Sequence, residues 1–350
     1  MKFIRSYDTE CSGRTKTEQT RTRTTSDGGT VPAPRTKLAP MTTVAEFEEL
    51  RPHLLAVAYR LTGTFADAED IVQEAWIRWN SQRDSRIRDT KAWLTTVVSR
   101  LSLDRLRSAA HRRESYTGQW LPEPVVTTLD SDPLNAVVAG EDARFAAMVV
   151  LENLSPDQRV AFVLHDGFAV PFDEIADVLD TTAAAARQLA SRARRTAARA
   201  PAPAAEHDEV VAKFLAAMAS GDLKAVVAAL HPDVTFTGDA DGKAPTAARV
   251  ITGADKVARF LLGLADRYGP RLFDAGRPAL VNGQLGLYSP GADTDGRWPV
   301  LMPRISAITV RDGRVAAIWD IANPAKFTAS PLATARATAI PKAPGTRPRS

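Results

Sequence analysis

Residues 173–199 read D-E-I-A-D-V-L-D-T-T-A-A-A-A-R-Q-L-A-S-R-A-R-R-T-A-A-R. A short amphipathic helix places Ile175, Ala176 and Leu179 on one face, and Asp180-Thr181-Thr182 breaks it. A second helix follows, with Ala186, Leu189, Ala190 and Ala193 on one side. Its other side carries Arg187, Ser191, Arg194 and Arg195, whose helical spacing puts them on one stripe. Two short helices joined by a tight turn, the second one basic, describe a helix-turn-helix. Such a second helix fits a major groove, with arginines on phosphates and base edges. A solvated basic face in an all-helical domain would give the same pattern, so the segment has to be weighed with the rest of the chain.

The 350 residues, 44% of them hydrophobic, are enough for two or three domains with real cores. The net charge is only +4, but the positive charge is clustered. Residues 100–113 carry Arg100, Arg105, Arg107, Arg112 and Arg113 against one acid, Asp104. Residues 187–199 carry Arg187, Arg192, Arg194, Arg195 and Arg199 with no acid. Two separate basic segments suit a polyanion contacted at two places. The single cysteine, Cys11, excludes an internal disulfide and a multi-cysteine metal site, and the five histidines show no ligand spacing. No metal or cofactor is therefore expected. No apolar run approaches the roughly 18 residues of a membrane span, and the N-terminus lacks the apolar core of a signal peptide. A cytoplasmic protein without membrane contact is expected.

Composition and periodicity divide the chain. Residues 1–40 are rich in Thr, Arg, Gly and Pro, and 328–350 in Ala, Thr, Pro, Arg and Lys, without apolar period. Both are expected to be disordered tails, with Met41 as a candidate natural start. Residues 41–112 carry three helical stripes: Leu50, Leu54, Val57, Ala58 and Leu61, ended by Gly63; Ile71, Val72, Ala75, Trp76 and Trp79; and Trp93, Leu94, Val97, Val98 and Leu101. They describe a small bundle. Asp67, Glu69, Asp70 and Glu74 gather early in the middle helix, where the helix dipole favours acids. Residues 113–131 form a linker. A second helical domain spans 132–200, opened by Asp132-Pro133, with a capping box at Ser155-Pro156-Asp157-Gln158, a turn at Asp166-Gly167, and Pro201-Ala202-Pro203 beyond its end.

These blocks carry a resemblance. Y-R-L-T-G-T-F-A-D-A-E-D-I-V-Q-E-A-W at 59–76 and K-A-W-L-T-T-V-V-S-R-L-S-L-D-R-L-R-S at 91–108 resemble region 2 of a bacterial sigma factor. L-S-P-D-Q-R-V-A-F-V-L at 154–164, E-I-A-D-V-L at 174–179 and A-A-A-R-Q-L-A-S-R-A-R at 184–194 resemble region 4. With no region 3 between them, the layout is that of the extracytoplasmic-function (ECF) group. The resemblance implies that the helix around Asp70, Gln73 and Glu74 docks on the coiled coil of the polymerase β′ subunit. It implies that the Trp93–Arg107 helix, with Arg100, Arg105 and Arg107, opens and reads the −10 element. It implies that Arg187, Gln188, Ser191, Arg192 and Arg195 meet the −35 element while region 4 touches the β flap. Pro171, where a capping Ser or Thr is common, is a departure at the start of the helix-turn-helix.

Residues 207–327 add a third domain. Val210, Val211, Phe214, Leu215 and Met218 share a helix that Ser220-Gly221-Asp222 stops and recaps. Leu223, Val226, Val227 and Leu230 predict a second helix, and Val257, Phe260, Leu261 and Leu264 a third. Strands follow, with Asn282-Gly283 and R-D-G-R at 311–314 as hairpin turns. Helices followed by a curved antiparallel sheet describe an α+β cone, similar to the SnoaL-like domain. The expected fold is thus multidomain: two all-α sigma domains and a C-terminal α+β cone.

Three motifs sharpen the resemblance: Trp120-Leu121-Pro122-Glu123-Pro124 in the linker, D-A-D-G-K at 239–243, and N-P-A-K-F at 323–327. An ECF subfamily with a fused SnoaL-like domain carries W-L-P-E-P, D-G-G-G-K and N-P-D-K-L there. The motif residues shared are Asp239, Gly242, Lys243, Asn323, Pro324 and Lys326. The changed loop loses glycine where a positive φ could have needed it. In that subfamily the extension modulates the factor that carries it. The apolar Trp120-Leu121 pair in a linker calls for a partner surface, so the cone is expected to fold back on the linker, with Lys243 near Glu123. Isomerase-like chemistry in the cone would need a carboxylate and a donor in one dry pocket, with Asp274, Tyr288 and Asp320 available. Nothing in the sequence places them together, so no enzyme is expected. A small-molecule ligand in the cone stays open. Two other readings also stay open: a ligand-sensing helix-turn-helix regulator independent of polymerase, and a SnoaL-type enzyme with a DNA-binding arm.

Overall fold

The structure is a computed structural model and describes residues 41–81, 87–113, 116–127, 137–138, 140, 143–198, 204–294 and 296–330. The expected tail over 1–40, the Asp132-Pro133 cap, Pro201-Ala202-Pro203 and residues 331–350 lie outside the described residues.

The first bundle has three helices. α1 (Met41–Thr62) buries Leu54, Val57, Ala58 and Leu61 completely. Gly63, at φ +76°, stops it, because only a left-handed residue turns the chain so sharply there. α2 (Phe65–Ser81) buries Ile71, Val72, Ala75 and Trp79, while Phe47 of α1 meets Trp76 edge-on at 4.9 Å. α3 (Thr90–Arg113) buries Leu94 and Val98, and Trp93 packs beside the same core rather than standing free.

The second bundle starts with α4 (Phe145–Leu151) and α5 (Pro156–Phe162). Ser155 closes the expected capping box on Gln158. The turn into the helix-turn-helix lies later than Asp166-Gly167. A π-helical turn carries Val163–Gly167 onward, and the chain reverses at Phe168-Ala169-Val170, with Ala169 at φ 55°. Leu164 is fully buried at this turn, which ties the extra residues to core packing. α6 (Phe172–Leu179) begins directly after Pro171, which holds the cap position without a side-chain bond. Asp180, at φ 51°, ends α6, and the Thr182 hydroxyl caps α7 (Ala183–Ala197) by accepting from the Ala185 amide.

The third domain packs α8 (His207–Ser220), α9 (Leu223–Ala229), α10 (Ala254–Tyr268) and the short α11 (Arg271–Asp274) on a seven-stranded sheet. The sheet order is β1 (Val126–Thr127), β4 (Arg277–Val281), β5 (Gln284–Ser289), β6 (Arg304–Arg311), β7 (Arg314–Ile321), β2 (Leu230–Asp239), β3 (Ile251–Thr252).

Two expectations fail here. The sheet is mixed, because β2 runs parallel to β7 from Thr235↔Ala317 to Asp239↔Ile321. The strand β2 was not foreseen because it is polar and contains Pro232; only Leu230, Val234 and Phe236 mark its buried face. And β1 comes from the linker: Val126 and Thr127 pair antiparallel with Val281 and Leu280. The linker is therefore part of the C-terminal sheet.

The sheet has two apolar faces, as period-two alternation requires. One face, with Phe236, Ile308 and Ile318, closes over α8 and α10. The other, with Ile305, Ala307, Trp319 and Ile321, packs on Leu121, Val126, Phe145 and Ala146. The helical bundles themselves share one continuous core.

Candidate functional site

On α7 the apolar side turns inward: Ala186, Ala190 and Ala193 are buried. Arg187, Gln188, Ser191, Arg192 and Arg195 are all exposed, on the side away from that core. Arg187 stands over the Phe172 ring at 5.4 Å, and Arg195 Nη1 lies 3.4 Å from Ser191 Oγ. Arg194 is drawn aside to Asp166, at 2.6 Å, and so leaves the expected stripe.

The three α3 arginines expected at the −10 element are all engaged. Arg100 Nη2 donates to the Asp177 carbonyl at the end of α6, at 2.8 Å. Arg107 Nη2 donates to Asp157 in the first turn of α5, at 3.0 Å. Arg105 turns the other way, to Asp67 at 3.1 Å and Asp70 at 3.8 Å on α2. So two cations of α3 face the second bundle. The contact is reinforced nearby. Arg159 of α5, fully buried, donates Nε to the Arg60 carbonyl at 3.0 Å and Nη1 to Glu152 at 2.8 Å. Gly63 sits so close that a Cβ there would meet Glu152 Oε1 at 2.4 Å. His53 of α1 meets Thr95 of α3 at 3.1 Å and the Phe168 ring edge-on at 5.3 Å. Burial, with Lys91 and Arg60 nearby, holds its imidazole down at about 4.

On α2, Asp70 and Gln73 are exposed and line a groove with Glu48, Arg51, Glu69 and Trp76. Glu74 is half-buried and pairs with Arg78 at 3.0 Å. These side chains present acid and aromatic surface together.

The linker motif forms a clamp, with partners different from those expected. Lys243 does not reach Glu123; it is exposed and pairs with Asp241 at 2.6 Å. Glu123 is buried at the other end of the linker, where its carboxylate accepts from the amides of Phe65 at 2.7 Å, Ala66 at 3.4 Å, Thr328 at 3.1 Å and Ala329 at 3.3 Å. Burial pushes its pKa up, and the Thr328 hydroxyl and these amides pull the other way. An acid among so many donors takes their hydrogen bonds where a lysine would add another donor.

The ion pair of the clamp is Asp239 with Lys326, at 2.6 Å and essentially sealed from solvent. Asp239 also accepts from the Leu121 amide at 2.8 Å and from the Tyr116 hydroxyl. Lys326 Nζ donates to the Leu121 carbonyl and lies 3.4 Å from the Trp120 ring centre and 5.0 Å from that of Tyr116. This is an aromatic cage around a paired cation. Asn323 caps the turn Pro324–Lys326 and donates to Tyr116 at 2.8 Å. Pro122 and Pro124 are buried on either side of Glu123.

Where the subfamily motif has glycine, Asp241 takes φ 49°, which Asp tolerates, and accepts from the Thr117 amide at 3.2 Å. Gly242, at φ +67°, keeps the next left-handed position.

Sequence reasoning missed Tyr116, Asn282, Tyr59 and the residues just after the last motif. Asn282 was legible only as a turn residue; it is buried, accepts from the Val125 amide at 3.0 Å, and donates to Tyr59 and Ala143, each at 2.8 Å. Tyr59, read as part of a core helix, donates to the Glu123 carbonyl at 2.8 Å. Phe327 and Ala329 are buried, and Thr328 binds Glu123, so the expected tail is packed through its first residues.

Three families match the chain: Sigma-70 region 2 over residues 47–112, Sigma-70 region 4 over 144–196, and the SnoaL-like domain over 211–318. The chain is 68% identical over 300 residues to the ECF RNA polymerase sigma factor SigJ of Mycobacterium tuberculosis, covering 84% of this chain and 96% of that one. The chain belongs to the ECF sigma factors. It is an alternative sigma factor, a subunit that directs RNA polymerase to promoters. A second relative, described as the probable ECF RNA polymerase sigma factor SigI of M. tuberculosis, is 35% identical over 223 residues, 61% of this chain and 73% of the relative. The crystal structure of M. tuberculosis SigJ superposes with a TM-score of 0.75 at 66% identity, covering 83% of this chain and 99% of that one.

In this sigma factor the cone does not gather the three groups considered for isomerase chemistry. Asp274 is exposed, and Tyr288 borders the cavity under α8 and α10 while packing against the cluster on the outer face of the sheet. Asp320 lies on the inner face, tied to Arg304 at 3.2 Å and to the Thr246 hydroxyl at 2.8 Å. Among the described residues no group of three metal-ligating side chains is placed to hold an ion, and no helix is long and apolar enough to cross a membrane.

Proposed function

We propose that this ECF factor rests in a closed form, with its −10 helix covered by region 4, and that polymerase binding opens it. One observation carries the reading: Arg100 and Arg107, cations of the −10 helix, are held by Asp177 and Asp157 of region 4. A helix whose cations are engaged by its own protein has fewer free to offer a DNA strand.

In the open form, Asp70, Gln73 and Glu74 meet the β′ coiled coil. Arg100, Arg105 and Arg107 hold the separated −10 strand. Arg187, Gln188, Ser191 and Arg192 read the −35 element, with Arg195 on phosphate. The exposure of the acid groove on α2 and of the α7 face supports this division. The domains are 41–112, 113–131, 132–200 and 207–327, and the factor works in the cytoplasm. The cone is a regulatory module rather than an enzyme, supported by its two-sided grip on the linker and by Asp320 being tied to Arg304.

The test is run-off transcription with core polymerase, alongside binding of single-stranded −10 DNA by the free factor. Specific transcription should need both components. Asp157→Asn should free Arg107, raise binding of single-stranded DNA and steepen its salt slope by about one unit. Tight, sequence-specific duplex binding by the free factor, unchanged by core polymerase, would show a plain regulator instead.

A further inference from the structure

The inner face of the C-terminal sheet lines a partly open cavity of about 130 Å³ beneath α8 and α10. Its walls are apolar, with Phe214, Met218, Phe236 and Leu264 among them. For scale, an engineered apolar cavity of about 150 Å³ takes one benzene. The floor is polar and organised. Ser306 stands directly across from Asp320 on neighbouring strands, and Arg304 lies on the same face. Asp320 gives Oδ2 to Arg304 and to Thr246, and its Oδ1 has no partner among the described residues. Ser306, likewise, makes no side-chain hydrogen bond among them, so the floor offers one acceptor and one hydroxyl side by side.

We propose that this cavity binds a neutral, one-ring molecule bearing a hydroxyl group, and that its occupancy is transmitted to the linker clamp; this deepens the reading of the cone as a regulatory module. Size sets the single ring. The floor sets the hydroxyl, which donates to Asp320 Oδ1 and accepts from Ser306. Charge sets neutrality: Arg304 and Asp320 already balance, so an ionic ligand would leave a buried charge without a partner.

The route to the clamp is short. Asp320 pairs with Gly238 across β7 and β2, and Ile321 pairs with Asp239, the clamp's acid. The backbone carbonyl of Asp239 also accepts from Ala322 at 2.7 Å and Asn323 at 3.0 Å. Thr246, which donates to Asp320, lies so close to Gly238 that a Cβ there would meet its hydroxyl at 2.1 Å. Trp319 and Ile321, the neighbours of Asp320 in β7, point the other way, onto the cluster that holds Leu121 and Val126. The cavity floor on β6 and β7 and the clamp on β2 meet through β7, on its opposite faces.

Calorimetry on the full chain without polymerase tests binding separately from any promoter step. The probe is p-cresol, with toluene and benzoate as comparisons. Saturable binding of p-cresol is expected, with toluene and benzoate at least tenfold weaker. Ser306→Ala should erase the preference of p-cresol over toluene. Leu264→Trp, which fills the cavity, should abolish binding; retained folding is read by its circular dichroism, and Met218→Phe serves if it fails to fold. Hydrogen exchange reads the coupling. At tenfold saturating p-cresol, the amides of Leu121, Glu123, Val125 and Val126 should exchange about tenfold more slowly, since opening the clamp then requires losing the ligand. No saturable p-cresol binding, equal or tighter binding of benzoate, or binding retained in the filled variants would overturn the site. Binding without any change at 121–126 would overturn the coupling.

Discussion

His53 shows how one residue reports the closed state. It lies between α1, α3 and Phe168, where burial lowers its pKa to about 4 from an ordinary 6.5. Between those values the unfolded chain holds the extra proton and the folded chain does not. Stability should therefore rise with pH from about 4 to about 6.5 and be lost as pH falls through that window. A series of thermal melts should show the slope, and His53→Gln should flatten it. An unchanged slope in the variant would place the titration elsewhere. Asp241 makes a second point at this scale: a carboxylate at φ 49° replaces a glycine because it recovers backbone strain through the Thr117 amide and Lys243.

At the scale of elements, the two-residue strand β1 is too short to persist alone. It holds because its entry is fixed from two sides. Asn282 donates its amide to the Val125 carbonyl at 2.8 Å and accepts from the Val125 amide, while Val126 donates to the Ala329 carbonyl at 2.9 Å. Asn282→Gly keeps the left-handed turn conformation, φ 50° in the native chain, and removes only the side chain. It should lower stability by about 1–3 kcal/mol in urea unfolding, through the donors and acceptors left unpaired at Val125 and Ala143. A loss within about 0.5 kcal/mol would mean that the β1 ladder and the Phe145 cluster suffice.

Across the whole molecule, the C-terminal segment decides whether the helical bundles stay together. Ending the chain after Ala322 removes Asn323, Lys326, Phe327 and the Thr328 bonds to Glu123, yet leaves the strands β2 to β7 complete. Asp239 would then lie buried without its cation, as it would in Lys326→Met, at a cost of about 3–5 kcal/mol to the clamped arrangement. Labels on α2 and α7 should move apart in energy-transfer measurements on either variant, while the isolated signature of the cone persists. Unchanged distances in both would show that the region 2 to region 4 contacts hold the closed form unaided.

The sequence by itself determined the local elements and the family. Helical stripes, the Ser155 capping box and the two hairpin turns depend on neighbours within a few residues; the box and the turns appear where the pattern places them, and of the stripes Leu230 passes into β2 and Arg194 turns aside to Asp166. The basic faces of α3 and α7 were legible for the same reason. Only the tertiary structure decided which partners these faces and motifs take. Lys243 pairs with Asp241 rather than Glu123, Lys326 closes on Asp239, and Glu123 turns to the start of α2. The linker becomes a strand, and Asn282 becomes the joint between bundle and cone. Those pairings join residues from 58 to 223 positions apart, and they are selected by burial. A carboxylate sealed from water must find every donor within reach, and no spacing along the chain encodes which donors the fold will bring.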